Sequence, residues 1–301
     1  MKKSVSMLLA ALMLTGALAG CGSSASTSAS GTQAADGADS GVSGAITVIS
    51  REDGSGTRGA FIELTGVEEK TADGKKVDNT TADAEIANKT DVVLTSVAGN
   101  EKAIGYISLG ALNDTVKAVK VDGAEATVDN VKAGAYKLSR PFNIATKGEP
   151  TGVAKDFINF ILSKEGQAVV TDNKYIAVND AAESFVSDGS SGQIAVGGSS
   201  SVSPVMEKLI EAYKSVNPNA SIDFQTSDST SGMTGAMDGT FAIGMASREL
   251  KDEEAAQLTG TAIALDGIAV IVNPANTIDE LSMDQIKSIY VGDITDWGDL
   301  A

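Results

Sequence analysis

Residues 45–61 read AITVISREDGSGTRGAF, an apolar run followed directly by a Gly/Ser-rich turn and a helix-like run. Residues 45–50 predict a β-strand and residues 57–64 predict an α-helix. The first backbone N–H groups of a helix lack a partner inside the helix, so a turn of this kind favours an anion. Arg51 adds a positive charge and a planar fork that fits two oxygens of an oxyanion.

The same order of strand, Ser/Gly loop and helix occurs twice more. A strand over 193–196 leads into GGSSS (197–201) and a helix over 204–216. A strand over 221–225 leads into TSDSTSG (226–232) and another helix. One such loop is more often simple helix capping. Three in one chain indicate a shared oxyanion site built from neutral donors.

The remaining patterns also alternate between helix and strand. They predict a helix over 83–88, hairpin-like strands over 117–121 and 126–131, a buried strand over 262–272 and a helix over 282–290. This alternation indicates an α/β fold.

The first residues predict export and lipidation. Lys2 and Lys3 precede an apolar stretch that is too short to span a bilayer permanently, and LAGC ends at Cys21. Residues 1–20 therefore read as a lipoprotein signal peptide, and 21–44 as the lipidated Cys21 followed by a flexible linker. The alternative is an ordinary cleaved signal with a stray cysteine. Since Cys21 is the only cysteine, no internal disulfide and no cysteine-based metal cluster can form.

Charge and composition exclude several functions. The net charge is −17, and loss of the two leader lysines makes it −19, which argues against nucleic-acid binding. The chain has no histidine, which removes Ser-His-Asp chemistry and His-ligated metals. GSGTR lacks the lysine of a nucleotide P-loop. We therefore predict no enzymatic activity, no cofactor and no metal, although a Ser-Lys arrangement stays open.

Residues 45–301 contain seven distinctive motifs: SREDGSGTRGAF, AIGYISLGAL, KGEPTGVAKDFINFILSKEGQ, GGSSSVSPVM, AIGMASREL, ALDGIAVIVNP and GDITDW. Together they resemble the phosphate-binding lipoproteins of Pst phosphate ABC transporters, over nearly all of residues 45–301. The resemblance implies a two-lobed periplasmic-binding-protein fold of type II, which closes like a clam with the ligand between lobes. It also implies inorganic phosphate as ligand, ABC permease subunits as partners, a monomer, and a lipid-anchored position on the extracytoplasmic face of the cell membrane.

The order of these motifs differs from that of the family, in which the GGSSSV-type loop comes first. The difference indicates a circular permutation, with the cut between Trp297 and Ile46 and the old ends joined through about 179–192. It predicts one discontinuous lobe (45–138 plus 272–301) and one continuous lobe (139–271). The alternatives to a circular permutation are a fragment of a tandem duplication and a wrong gene model.

The resemblance also implies which residues bind phosphate. Asp53 is expected to orient Arg51 or to accept a proton from the ligand. At Ser247 some members have an aspartate, which rejects sulfate because sulfate has no proton to give. Asp53 or Asp228 could take that role here. The implied ligand-binding residues are Arg51, Asp53, Ser55, Gly56, Thr57, Ser200, Ser201, Ser229 and Ser247.

Two other functions stay open at this stage. One is a surface hydrolase acting on phosphate esters. The other is a sensor or binder of another oxyanion, such as sulfate, that uses the same site.

Overall fold

The computed structural model describes residues 42–300. The signal peptide, Cys21 and linker residues 22–41 therefore lie outside the described residues. The last linker residues are joined to the fold, because the backbone N–H of Gly44 donates to the Asp296 carboxylate at 2.9 Å. No helix between residues 42 and 300 is long and apolar enough to cross a membrane.

The first half of the described chain alternates short strands with helices. Its elements are β1 (Thr47–Arg51), α1 (Gly56–Thr65), β2 (Glu68–Lys70), β3 (Lys76–Asp78), β4 (Glu85–Ala87), α2 (Thr90–Ala98), β5 (Ala103–Ser108), β6 (Lys117–Ala118), β7 (Lys120–Val121), α3 (Val128–Lys132) and β8 (Ser139–Thr146).

The second half has longer helices and the longest strand. Its elements are α4 (Gly152–Leu162), α5 (Lys164–Asp172), β9 (Gly192–Ser199), α6 (Ser203–Val216), β10 (Ala220–Ser227), α7 (Ser229–Asp238), β11 (Ile243–Ala246), α8 (Asp252–Ala255), β12 (Thr259–Val272), β13 (Glu280–Leu281) and α9 (Met283–Val291).

One mixed sheet connects the two halves. Its strands lie in the order β10-β9-β11-β8-β12-β5-β1-β4, with β6 beside β12. The three strands at each end are parallel, whereas β8 and β12 in the middle are antiparallel to each other and to their outer neighbours. Parallel neighbours require crossover connections, which α6 supplies between β9 and β10 and α1 supplies between β1 and β4.

The buried apolar side chains form two main cores. We call lobe I the part built around β1, β5, α1, α2 and α9, and lobe II the part built around β8, β9, α4 and α6. Strand β12 belongs to both: Ile263 and Ala264 lie in the core of lobe II, and Ile268 to Val272 in the core of lobe I. A smaller apolar cluster with Met233 lies under α7. The lobes therefore share a continuous strand.

Three local predictions were wrong. Residues predicted as a helix over 83–88 contain β4, because Glu85–Ala87 pairs with β1 in parallel register and tertiary pairing overrides the local pattern. The second arm of the predicted hairpin is α3, which begins where the Thr127 hydroxyl accepts from the Asn130 N–H. The second and third Ser/Gly loops are also shorter than predicted, because β9 and β10 extend through Ser199 and Ser227.

Candidate functional site

The predicted loops meet at the carboxyl ends of parallel strands from both lobes. Arg51 ends β1, Ser199 ends β9 and Ser227 ends β10. Ser247 directly follows β11. In open α/β sheets ligands bind in the crevice outside these ends. The topology therefore brings together segments that are up to about two hundred residues apart in the chain.

The N-terminus of α1 lies at the centre of this crevice. Ser55 caps the helix, because its hydroxyl accepts from the Arg58 N–H at 3.3 Å. Gly56 and Thr57 begin the helix and are buried. A Cβ on Gly56 would lie 2.3 Å from Ser229 Oγ and 2.8 Å from Ser247 Oγ. Glycine is therefore needed here so that lobe II can approach the helix closely.

Buried hydroxyl groups from both lobes surround this helix end. Thr57 Oγ1 and Ser201 Oγ share a hydrogen bond of 2.7 Å across the lobes. Within lobe II the Ser247 N–H donates to Ser229 Oγ at 3.1 Å. Neutral hydroxyls donate or accept as the ligand requires. We call this set the hydroxyl cluster: Thr57, Thr90, Ser199, Ser200, Ser201, Ser229 and Ser247.

Arg51 lies beside the hydroxyl cluster with its side chain only 2% exposed. Its Nε and Nη2 donate to the two carboxylate oxygens of Glu52, each at 2.8 Å. Nε also donates to the Ala87 carbonyl, and Nη2 donates to Ser200 Oγ at 3.1 Å. Among the described residues these bonds leave Nη1 for a ligand. The guanidinium is held rigidly and presents its remaining donors to the crevice.

The expectation that Asp53 orients Arg51 was wrong. The Asp53 side chain is 97% exposed and forms an ion pair with Arg58 at 3.0 Å. Glu52, the residue before it, orients Arg51 instead. Backbone direction explains the difference, because the turn after β1 directs Glu52 along the guanidinium and Asp53 towards solvent. The structure therefore does not place Asp53 with the hydroxyl cluster.

Asp228, the other carboxylate considered for the ligand's proton, caps α7. Its oxygens accept from the Ser231 N–H at 2.8 Å and from Ser231 Oγ at 2.6 Å. It also lies under the loop of lobe I, since a Cβ on Gly54 would be 2.3 Å from Asp228 Oδ1. Each of its carboxylate oxygens thus already accepts one hydrogen bond from Ser231 in capping.

Sequence reasoning missed a buried ion pair between the lobes. Arg140 on β8 faces Asp266 on β12, with Nη2 and Oδ2 3.3 Å apart and both side chains at most 2% exposed. Arg140 Nη2 also donates to Thr57 Oγ1 at 3.0 Å. The available signal was a charged residue inside the apolar run 262–272, because a charge in a buried strand needs a partner.

Burial sets the pKa values of this pair. It raises the pKa of Asp266 to about 6, against the opposing effect of the Arg140 charge. It likewise lowers the pKa of Arg140 to about 10, with Asp266 opposing and the positive charge of Arg51 adding to the decrease. Both effects follow from the cost of a charge in a low-dielectric interior.

The arrangement suits binding more than catalysis. The recorded hydrogen bonds of the cluster serines run to other hydroxyls, to backbone groups or to Arg51, and none runs to a carboxylate or a lysine that could act as a base. Between residues 42 and 300, no group of three or more His, Cys, Asp or Glu residues is placed to hold a metal ion. Hydroxyls, helix N–H groups and guanidinium donors converge instead, as an oxyanion requires.

Comparisons with known proteins agree with this geometry. A model of the PBP superfamily domain matches residues 24–165 and 184–301. The chain is 50% identical to "Phosphate-binding protein PstS 2" of Streptococcus agalactiae, over 99% of this chain and 98% of that protein. It is 34% identical to PstS of Bacillus subtilis over only 45% of this chain and 42% of that protein.

A crystal structure described as a phosphate ABC transporter, phosphate-binding protein from Streptococcus pneumoniae has a similar fold. The two structures match with a TM-score of 0.69 and 50% identity, over 86% of this chain and 100% of that chain. The predicted α/β, two-lobed periplasmic-binding-protein fold and the family resemblance are confirmed. Because these similarities extend over most of the chain, the chain belongs to the PBP superfamily and, within it, to the family of PstS phosphate-binding proteins.

Proposed function

We propose that this protein captures inorganic phosphate outside the cytoplasm and delivers it to an ABC importer, without enzymatic activity. The observation that carries the proposal is the hydroxyl cluster, which lies between two lobes at the N-terminus of α1 beside the buried Arg51. The relatives named phosphate-binding proteins support the choice of ligand.

In this proposal the anion takes over hydrogen bonds that the cluster now makes internally. Arg51 supplies Nη1, and the N–H groups of Gly56 and Thr57 are free of intrahelical partners at the start of α1. The Ser55 hydroxyl accepts from the Arg58 N–H, so its own hydrogen is available to the ligand. The proposed ligand residues are Arg51, Ser55, Gly56, Thr57, Ser200, Ser201, Ser229 and Ser247.

The lobes close on the ligand by contacts that already bridge them. Arg51 of lobe I donates to Ser200 of lobe II. The Thr230 N–H donates to the Gly54 carbonyl at 3.1 Å, close to the same helix end. An anion bound to both lobes strengthens the closed arrangement, because it interacts with both sides only when they are together.

Selectivity for phosphate over sulfate rests on hydroxyl acceptors. Ser247 Oγ lies between the hydroxyls of Ser199, at 2.9 Å, and Ser229, at 3.5 Å. Its lone pairs can accept the proton of hydrogen phosphate, whereas sulfate at neutral pH has no proton to donate. A hydroxyl does not repel a full dianion as a carboxylate does, so we expect a modest preference.

We also propose that Cys21 carries the lipid anchor, that the protein acts as a monomer, and that permease subunits are its partners. Two or more acyl chains hold a protein firmly to a membrane. Labelling of cells with a palmitate analogue should mark the wild type and not Cys21→Ser. Labelling of the variant to the same extent would disprove the anchor at this residue.

The permuted segment order is a further part of the proposal. The N–H of Ile46 donates to the Thr295 carbonyl at 2.8 Å, so the two sides of the proposed cut are neighbours. Residue Val186, in the proposed joining segment 179–192, is 87% exposed. A different order also accounts for the short match to the Bacillus subtilis protein, since one collinear alignment covers only one of two exchanged segments. We propose that 139–271 is the continuous lobe and that 45–138 with 272–301 forms the other, with β12 shared at the boundary.

Titration calorimetry of the purified protein with phosphate and sulfate tests the function. We expect saturable heat with phosphate at sub-millimolar concentration and weaker binding of sulfate. No heat with phosphate in this range would end the proposal. Turnover of an aryl phosphate would instead indicate a hydrolase. Co-purification with permease subunits would separate a role in transport from a role in sensing.

A further inference from the structure

The buried polar atoms that lack a hydrogen-bond partner within residues 42–300 concentrate at one place. They lie where β8, β12 and the end of β5 meet: Ser108 Oγ, Arg140 Nε and Nη1, Tyr175 OH and Asp266 Oδ2. Folded proteins satisfy nearly all buried polar groups. Leaving a buried donor unpaired costs about 1–3 kcal/mol, and more for a charged group. Of these atoms, Arg140 Nε and Nη1 are charged donors, which an anion would satisfy.

Arg140 connects these atoms to the hydroxyl cluster. Its side chain is 2% exposed, and Nη2 donates to Thr57 Oγ1 at 3.0 Å. Both guanidinium groups contact the hydroxyl cluster, Arg51 through Ser200 and Arg140 through Thr57, and the positive charge of Arg51 disfavours the charged form of Arg140. An anion near Thr57 would relieve this repulsion and accept from donors that now have no partner.

The other buried arginine of lobe II shows how a purely structural guanidinium is satisfied. Arg248 donates from Nη1 and Nη2 to the carboxylate of Glu254 at 2.7 and 2.8 Å. Its remaining recorded bonds go to the Glu249 carbonyl and to Thr230. Neither Arg248 nor Glu254 has an unpartnered buried polar atom. Arg140 has a single long contact to Asp266 and two unused nitrogens, so packing alone does not explain it.

We propose that Arg140, which lies against Thr57 of the hydroxyl cluster, is a second guanidinium ligand of the bound anion besides Arg51, with Asp266 as its counter-ion. The inference rests on the proposed function and extends the site onto β8 of lobe II, which pairs with the shared strand β12. The anion then contacts lobe I through α1 and lobe II through its serines and Arg140.

The test is titration calorimetry of the full-length Arg140→Gln variant with inorganic phosphate. The Arg248→Gln variant serves as a matched control. Both variants remove a buried arginine from lobe II and leave a buried carboxylate unpaired. We expect Arg140→Gln to weaken binding about 10- to 100-fold, as loss of a hydrogen bond to a charged group does, and Arg248→Gln to stay within about threefold. Arg140→Gln should also reduce the dependence of affinity on NaCl concentration, because one charge no longer contacts the anion.

A second variant covers the case in which Arg140→Gln does not fold. The double variant Arg140→Met/Asp266→Leu removes both charges and leaves none unpaired, a change that buried ion pairs often tolerate. Circular dichroism and thermal melting establish its fold before titration. If the folded double variant binds phosphate as the wild type does, the inference is overturned while the proposed function stands. If the wild type itself gives no heat with phosphate, the proposed function fails and this inference with it.

Discussion

Two buried arginines face the same hydroxyl cluster and are held in opposite ways. Arg51 forms a two-bond fork with Glu52, whose side chain is 21% exposed, and binds the Ala87 carbonyl and Ser200 as well. Arg140 has one contact of 3.3 Å with a fully buried Asp266 and keeps two donors unpaired. One guanidinium is held by several hydrogen bonds before a ligand arrives, whereas in the described part of the chain the other donates only to Thr57 and keeps Nε and Nη1 without a partner.

The difference follows from where each carboxylate lies. Glu52 is partly hydrated, so its charge costs little and its fork with Arg51 positions the cation. Asp266 lies between two sheet strands, and burial raises its pKa to about 6. A buried pair with imperfect geometry gains less attraction than the desolvation of its charges costs. Such a pair adds little stability and is better explained by a role in binding.

Arg51→Gln should have the largest effect. It removes the cation that the structure orients best, together with its contact to Ser200. Two charge-assisted hydrogen bonds correspond to about 3–4 kcal/mol, so phosphate affinity should fall by at least about 100-fold in calorimetry. The melting temperature should change little by comparison. Unchanged affinity would remove Arg51 from the site and leave Arg140 as its main cation.

Asp266→Asn should remove a decrease in the free energy of unfolding that the wild type shows as pH rises from about 4 to 6. The folded pKa of Asp266 is raised to about 6, above the unfolded value, so the native state binds more protons between about pH 4 and 6. Wild-type stability therefore loses a contribution as pH rises through this window, by up to about 3 kcal/mol from this residue, and the variant does not. Denaturant titrations of both proteins at pH 4, 5, 6 and 7 measure the difference. A constant difference would show that Asp266 is already ionised throughout, as a strongly paired carboxylate would be.

Gly56→Ala tests whether phosphate binding by the two arginines requires the serines of lobe II to lie close to helix α1. The new methyl group would lie 2.3 Å from Ser229 Oγ and 2.8 Å from Ser247 Oγ, so the serines of lobe II must move away. Forcing an extra group into a packed contact costs about 1–3 kcal/mol, which predicts about 5- to 150-fold weaker phosphate binding. Gly59→Ala is the matched control, since its nearest neighbour outside the helix would be Arg248 Cδ at 3.7 Å. Equal affinity for the two variants would mean that the anion does not need this close approach.

Asp53→Asn should have the smallest effect. Its side chain is 97% exposed and pairs with Arg58 at the surface. Exposed ion pairs contribute about 0–1 kcal/mol, so phosphate affinity and melting temperature should stay near those of the wild type. Glu52→Gln, one residue earlier, should change affinity more because it releases the Arg51 fork. The reverse order of effects would restore the role that the sequence suggested for Asp53.

Much of the candidate site could be predicted because helix N-termini are local. The turn after β1, its Ser55 cap and the buried Gly56 and Thr57 follow from a few adjacent residues. The serine loops after β9 and β10 follow in the same way, although both strands run further than their patterns indicated. Strand β4 could not be predicted, because its residues pair with β1 only when the sheet forms.

By itself the sequence determined the α/β alternation and the helix end after β1, and it predicted Arg51 as the cation of the proposed anion site, since these depend on short-range patterns and unpaired backbone groups. Only the tertiary structure decided which carboxylate holds Arg51, because neighbouring residues of the turn point in different directions, the half-buried Glu52 along the guanidinium and the exposed Asp53 towards Arg58. It alone also brought Arg140 and Asp266 together, since their contact requires the register of β8 against β12. Long-range pairing places side chains that no local pattern relates, and here it placed Arg140 against Thr57 of the hydroxyl cluster.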